Sequence, residues 1–172
     1  GELFVIGGVV PGGPVEVRST YELPVRIWAP VEGGPWPVVV CGHGLGGDRD
    51  DCDAIVDQVT AQGVALVGVD AQEHGDHPAR SEAELELIEP LLIFAIRVDP
   101  PGLHGLKLRD NFRASAWDKL QLIQAIEAGV DLDGDTEPDL DGDAIGYAGV
   151  SLGAIMGPEP LALSGSLRGG LM

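Results

Sequence analysis

The sequence predicts an α/β domain in which a mostly parallel sheet is covered by helices on both faces. Three apolar runs carry this expectation: Pro37-Val38-Val39-Val40-Cys41, Val64 to Asp70, and Ala144 to Val150. None alternates as a half-exposed strand would, so each reads as a strand buried on both sides. Helical patterns separate them, and strand, helix, strand with short joins makes a parallel crossover. A length of 172 residues suits one domain.

The elements follow in order. The first 20 residues, with Gly7-Gly8 and Pro11-Gly12-Gly13-Pro14, read as two short strands about a turn. Tyr21 to Pro30 gives a strand with Leu23, Val25 and Ile27 on one face, and Glu32-Gly33-Gly34-Pro35 turns the chain into the first apolar run. A helix is expected from about Asp51 to Gln62, carrying Ile55, Val56 and Val59 inward and stopping at Gly63. The second run follows and ends on Asp70. Residues 79–108 are read as a cap or lid insertion: Glu82 to Glu89 is an acidic helical stretch, Leu91 to Ile96 is apolar, and Pro90 and Pro100-Pro101 interrupt any long helix. Asn111 is expected to cap a helix to about Ala128, with Trp117, Leu120, Ile123 and Ile126 as its apolar stripe and Gly129 as its end. The third run leads through a small-residue turn into another helix, and Ser166 to Met172 opens a further strand.

Charge narrows the partners. The chain carries 28 acidic against 10 basic residues, a formal charge of -18, and only Lys107 and Lys119 as lysines. Phosphate backbones and anionic membranes are bound by clustered Lys and Arg, so neither is an expected partner. No run of 18 uncharged apolar residues occurs, so no membrane span is expected. The opening Gly1-Glu2-Leu3 has no initiator Met, and the expectation is a chain that begins downstream of its gene product's start. Cys41 and Cys52 are near enough in sequence to form one bridge in an oxidising compartment. Cys41 ends an apolar strand, however, where a buried free thiol is the expectation.

Two motifs carry chemistry. Gly149-Val150-Ser151-Leu152-Gly153 follows the third apolar strand and opens a helix, the context in which a Gly-x-Ser-x-Gly serine sits on a sharp turn with its Oγ exposed over the sheet edge. The alternative is a serine that merely caps the helix. His43-Gly44-Leu45-Gly46-Gly47 directly follows the first apolar strand. Acyl transfer builds negative charge on a carbonyl oxygen, and backbone N–H groups can stabilise it. Leu45 and Leu152 are the assigned donors, Gly44 lets the backbone approach, and His43 is expected to order the loop rather than act as general base.

With these residues on view the chain resembles the α/β-hydrolase superfamily, in particular bacterial extracellular serine esterases and lipases. The resemblance runs from about Leu23 to Met172 through His43 to Gly47, Asp70 to Asp76, Arg109-Asp110-Asn111 and the turn at Ser151. It implies an α/β-hydrolase-like sheet and an acyl-enzyme on Ser151, acting on a small-molecule or lipid ester without a cofactor for the chemistry. It also implies that Leu91 to Ile96 either lines an acyl site or packs as buried helix. In this superfamily the serine is followed by Asp or Glu and then His. After Ser151 come 21 residues with Glu159 as the single acid and no histidine. The expectation is therefore a domain incomplete at its C-terminus, with both partners in sequence beyond Met172 and this chain alone inactive. Substitution by His74, His77 or His104 is disfavoured: His74 is expected to order its loop, and His77 and His104 to be solvated. Asp70 is expected to order a loop rather than serve as the triad acid.

A third motif is acidic. Asp131, Asp133, Asp135, Glu137, Asp139, Asp141 and Asp143 alternate across 13 residues with Gly134 and Gly142 between them. Ca²⁺ takes six to eight oxygen ligands, and an Asp-x-Asp-Gly-Asp run can wrap several around one centre. The loop resembles those of dockerin and thrombospondin type 3 repeats, although Gly142 stands where an EF-hand has its glutamate. Asp131, Asp133, Asp135 and Asp139 are the preferred ligands of a structural Ca²⁺, with Asp141 or Asp143 as further candidates and a solvated acidic loop as the alternative. The leading function is a secreted, periplasmic or cell-surface carboxylic ester hydrolase. Its rivals are a non-catalytic, calcium-stabilised binding or scaffold protein, and a peptidase, thioesterase or acyltransferase of the same superfamily.

Overall fold

Val38 and Val40 face one side of the sheet and Val39 and Cys41 the other, and each pair meets its own helix. The computed structural model describes residues 20–80, 89–98 and 100–172. The two strands expected within the first 20 residues, and the acidic stretch from Glu82 as far as residue 88, lie outside the described residues apart from residue 20 itself. The strands are β1 (Val25–Trp28), β2 (Trp36–Gly42), β3 (Ala65–Val69), β6 (Leu140–Gly149) and β7 (Leu167–Leu171), with β4 (Ile96–Val98) and β5 (Pro101–Leu103) forming a separate hairpin. In the five-stranded sheet the order is β1-β3-β2-β6-β7. β2 lies parallel to both β3 and β6, and β6 parallel to β7, while β1 runs antiparallel to β3. The sheet is mixed, mostly parallel, with helices on both faces.

One face packs Val38, Val40, Ala65, Val67, Ile145 and Tyr147 against Ile123 and Ile126 of the long helix α3 (Gly105–Ala128). The other packs Val39, Cys41 and Leu66 against Cys52, Val56 and Val59. Each fully buried branched side chain contributes about 1.5–3 kcal/mol, so the lack of alternation in the runs is what two covered faces require.

Several local expectations are corrected. The helix expected over Asp51–Gln62 is a 3₁₀ segment, Arg49–Ile55, followed by the short α1 (Val56–Thr60). Asp48 starts the 3₁₀ segment, its carboxylate accepting from the Asp50 N–H at 2.8 Å. Ile55 is 39% exposed instead of inward, because the residue this segment buries is Cys52. Cys41 and Cys52 are joined by a disulfide rather than held as thiols. Asn111 does not begin α3: His104 does, its Nδ1 accepting from the Lys107 N–H at 3.0 Å, and the helix starts seven residues earlier. Asn111 sits inside it and donates through Nδ2 to the carbonyls of Leu92 and Ile93 at 3.1 and 3.0 Å. Trp117 is 39% exposed and does not belong to the buried stripe.

In the segment expected as a cap, α2 (Glu89–Ile93) and the β4–β5 hairpin follow one another. Ile93 packs with Leu152 and Met156, bringing this segment against α4 (Leu152–Met156), and Phe94 and Phe112 flank the contact. The last helix, α5 (Pro158–Leu163), precedes β7.

Candidate active site

The parallel strands β2, β3 and β6 end on one edge of the sheet, and the loops after them meet there. Ser151 joins β6 to α4 with φ 52° and ψ -110°. A non-glycine residue held there costs on the order of 1–3 kcal/mol, and such strain persists only where the surroundings over-determine it. Glycines provide the surroundings. A Cβ on Gly149 would stand 2.5 Å from the carbonyl carbon of Gly153, and one on Gly153 would overlap the carbonyl group of Gly42. Strand, turn and helix are pressed too closely for any side chain at either position. The chain is further pinned by Val150 N–H to Gly42 O at 3.1 Å and by Gly153 N–H to His43 O at 2.9 Å. Ser151 is exposed, and its side chain makes no capping bond to α4. Ser151 thus stands at the N-cap position of α4 without a side-chain capping bond.

The loop after β2 lies alongside. A Cβ on Gly44 would be 3.7 Å from the Ser151 Cβ. Gly44 to Gly47 form a β-turn closed by Gly47 N–H to Gly44 O at 3.2 Å, with Gly46 at φ +77° as a type II turn requires at its third residue. Leu45 is the second residue of this turn. Leu152 is the first residue of α4, where an N–H has no acceptor within the helix. Both assigned donors thus sit at the loops that bracket Ser151.

His43 is buried and saturated. Its Nδ1–H donates to the Gly44 carbonyl at 2.8 Å, and its Nε2 accepts from the Ala71 N–H at 2.9 Å. Burial foremost, with the charges of His74 and Lys119, holds it below the ordinary histidine range. A histidine with both nitrogens committed to backbone is not placed to take a proton from Ser151. The other three also bond away from the serine turn, His74 through Nδ1 alone. Nδ1 of His74 donates to Gln72 O at 2.9 Å, His77 Nε2 meets the Asp118 carboxylate at 3.1 Å, and His104 caps α3. The expectation of a solvated His77 is corrected, since that side chain is only 2% exposed. Asp70, also buried, accepts from Arg49 N–H at 2.6 Å, Arg49 Nη1 at 2.5 Å and Asp76 N–H at 3.0 Å, tying the loop after β3 to the start of the 3₁₀ segment.

Beneath these loops lies a polar layer that sequence reasoning missed. Gln72, Glu73, His74, His77, Asn111, Ser115, Asp118 and Lys119 are all buried. Asp118 accepts from Tyr21 Oη at 2.5 Å, from Gln72 Nε2 at 3.2 Å and from His77. Burial pushes its carboxyl up, but the His77, Tyr21 and Gln72 partners outweigh that and leave it below the usual carboxylate value. The signal was in the periodicity. Counting back four residues at a time from Ile123 gives Lys119, Ser115 and Asn111, one continuous helix face whose first half is polar.

On the far side of β6 the acidic loop gathers Asp131, Asp133 and Asp139, whose ligand oxygens all lie within 4.8 Å of one another. These three could hold a divalent cation. Asp131 also shapes the loop, accepting from Gly134 N–H at 2.6 Å and Thr136 N–H at 2.9 Å, and these bonds hold its carboxyl below the usual value. Asp135 and Asp141 are outside the trio. Their carboxylates accept from the N–H groups of Glu137 at 2.8 Å and Asp143 at 2.9 Å.

Comparison with solved structures shows what this arrangement resembles. The 2,6-dihydroxy-pseudo-oxynicotine hydrolase superposes with a TM-score of 0.51 at 20% identity over 84% of this chain and 31% of its own. A cold-adapted esterase from an Arctic intertidal metagenomic library gives 0.56 at 19% over 87% and 55%, and a hydrolase from Pseudomonas aeruginosa gives 0.50 at 18% over 86% and 38%. The fold is α/β-hydrolase-like. At these identities the likeness is one of fold, and the chain spans roughly a third to just over half of each relative's length. No protein-family model and no curated protein matches the sequence. Within the α/β-hydrolase fold, the Ser151 turn and the Gly44–Gly47 turn occupy the ends of adjacent parallel strands.

Proposed function

We propose that this chain carries the nucleophile and oxyanion-hole part of a serine hydrolase that cleaves carboxylic esters. The observation that carries the reading is Ser151 itself. It is exposed, uncommitted to a cap, held at φ 52° by glycines that admit no Cβ, and set beside the Gly44 backbone. Ser151 Oγ passes its proton to a general base as it attacks the ester carbonyl carbon, while the N–H groups of Leu45 and Leu152 donate to the oxygen that becomes negative. The alcohol leaves with a proton from the general base, and water, deprotonated by that base, releases the acid and restores the serine. His43, His77 and His104 bond elsewhere and His74 is fully buried, so the base and its carboxylate partner are assigned to sequence C-terminal to Met172 in a longer protein. Asp131, Asp133 and Asp139 hold a structural Ca²⁺ at the entry to β6, remote from the reacting atoms. The Cys41–Cys52 disulfide supports an oxidising destination, periplasmic, cell-surface or secreted.

A fluorophosphonate probe with mass-spectrometric mapping, applied to the longer protein, tests the reading. Labelling is expected on Ser151 and is expected to vanish in a folded Ser151→Ala variant. A folded, unlabelled parent would instead support a binding or scaffold role. Labelling accompanied by hydrolysis of amides but not of p-nitrophenyl esters would move the assignment to a peptidase.

A further inference from the structure

We propose that Lys119 is a positioning residue for the oxyanion turn, acting through His43. The inference rests on the ester-hydrolase reading for its purpose, and on geometry for its content. The His43 strap works in one protonation state only. Nδ1–H must donate to the Gly44 carbonyl and Nε2 must be bare to accept from the Ala71 N–H, which is the neutral Nδ1–H tautomer. In a trans peptide the carbonyl and the following N–H point in opposite directions, so a Gly44 carbonyl held on one side aims the Leu45 N–H to the other. A proton on Nε2 would oppose two N–H groups, release Ala71 and loosen the peptide that carries the donor.

Lys119 is placed to prevent that. It is buried, and its Nζ donates to the Ser115 carbonyl at 3.3 Å. Ser115 Oγ accepts from the Gln72 N–H at 2.9 Å, and Ala71, next in the chain, is the residue His43 grips. One contiguous set of bonds thus links the lysine to the strap. Among the described residues the ammonium makes no ion pair within bonding distance; the charge of the adjacent Asp118 favours its protonated form, while that carboxylate's hydrogen bonds go to Tyr21, His77 and Gln72. Its charge therefore bears on its neighbours in a medium of low dielectric.

The other ionisable groups around His43 are paired, apart from His74, whose charge would act on it in the same sense as that of Lys119. From the loop after β3 come Asp70, paired with Arg49, Glu73, paired with Lys107 at 2.8 Å, and His74. The His74 ring centroid is 5.1 Å from that of His43, and its Nε2 is a bare, buried acceptor. From α3 comes Asp118, bonded to His77 of the loop after β3. Asp51 stands by Gly47 in the 3₁₀ segment, and α4 offers no ionisable side chain. Burial lowers the Lys119 ammonium to about 8, so at neutral and acid pH it remains charged. A cation that persists there opposes a second one on His43.

Imidazole NMR of the chain, titrated from about pH 8 to about pH 5, reads this without turnover. His43 is expected as the Nδ1–H tautomer, and its midpoint is expected to move to higher pH in both Lys119→Met and Lys119→Gln, the second retaining a donor for Ser115. An unchanged midpoint in either folded variant, an Nε2–H tautomer, or a Lys119 found neutral at about pH 6 in the parent would overturn the proposal; the last two need no variant to fold. In the longer protein, each half-unit rise lowers the labelling rate of Ser151 at acid pH relative to alkaline by about threefold. Failure of Ser151 to label with the NMR midpoint still displaced would sink only the ester-hydrolase reading.

Discussion

Gly153 shows why the serine turn was legible in the sequence. Its position beside the Gly42 carbonyl leaves no room for a Cβ, and Gly149 is pressed against Gly153 in turn. A motif whose glycines are demanded by backbone contact survives in the sequence as glycines, so the spacing could be read directly. Gly153→Ala must separate α4 from β2, and overpacking of this kind costs about 1–3 kcal/mol. We expect a loss at the upper end in urea denaturation, together with slower labelling of Ser151. A variant as stable as the parent would show that the close approach is not built in. Lys119 and His77 were not legible in the same way. A lone histidine gives no local sign that it will be buried, since that depends on partners such as Gln72, 5 positions from His77, and Asp118, 41 positions from it, and Lys119 shows itself only through its place on the Ile123 face.

At the level of elements, the three buried strands announced themselves because two covered faces suppress alternation. α3 did so only in part. Its C-terminal half packs Ile123 and Ile126 into the core, whereas its N-terminal half lays Asn111, Ser115, Asp118 and Lys119 over the loop after β3. A hydrophobic stripe cannot report a polar dock, so the sequence placed Trp117 on the buried face and began the helix at Asn111. The dock is pH-sensitive. The folded state holds the Asp118 carboxyl below its ordinary value, so its stabilisation is present above that value, near pH 4, and is lost as pH falls through the lower folded one. Asp118→Asn should cost about 1–3 kcal/mol at pH near 7, from disrupting buried bonds to an ionised acceptor. The difference from the parent should narrow toward pH near 3. Chemical denaturation at the two pH values checks this, and a constant difference would remove Asp118's charge from the account.

Over the whole molecule, the charge of -18 is the property with the widest reach, and it is unevenly placed. Seven of the 28 acidic residues fall between Asp131 and Asp143, immediately before and into β6, the strand that delivers Ser151. Like charges so close repel unless water, salt or a cation intervenes. The Asp131, Asp133 and Asp139 oxygens within 4.8 Å of one another mark where a cation would relieve this most. The loop is also tied to the sheet, with Asp139 N–H donating to Val130 O and Trp36 N–H to Asp139 O, each at 2.8 Å. Ordering it therefore steadies both β2 and β6. If Ca²⁺ binds the folded chain alone, a concentration of about 100 times its dissociation constant adds about 2.7 kcal/mol. For a chain of this size that is a rise in melting temperature of roughly 5–10 °C. We expect this rise on adding Ca²⁺ to chelator-treated protein, and its loss in Asp133→Asn, which changes a proposed ligand while leaving the Asp131 and Asp139 loop bonds in place. Equal rises with Na⁺ at matched ionic strength would assign the effect to screening of the acidic surface and remove the site.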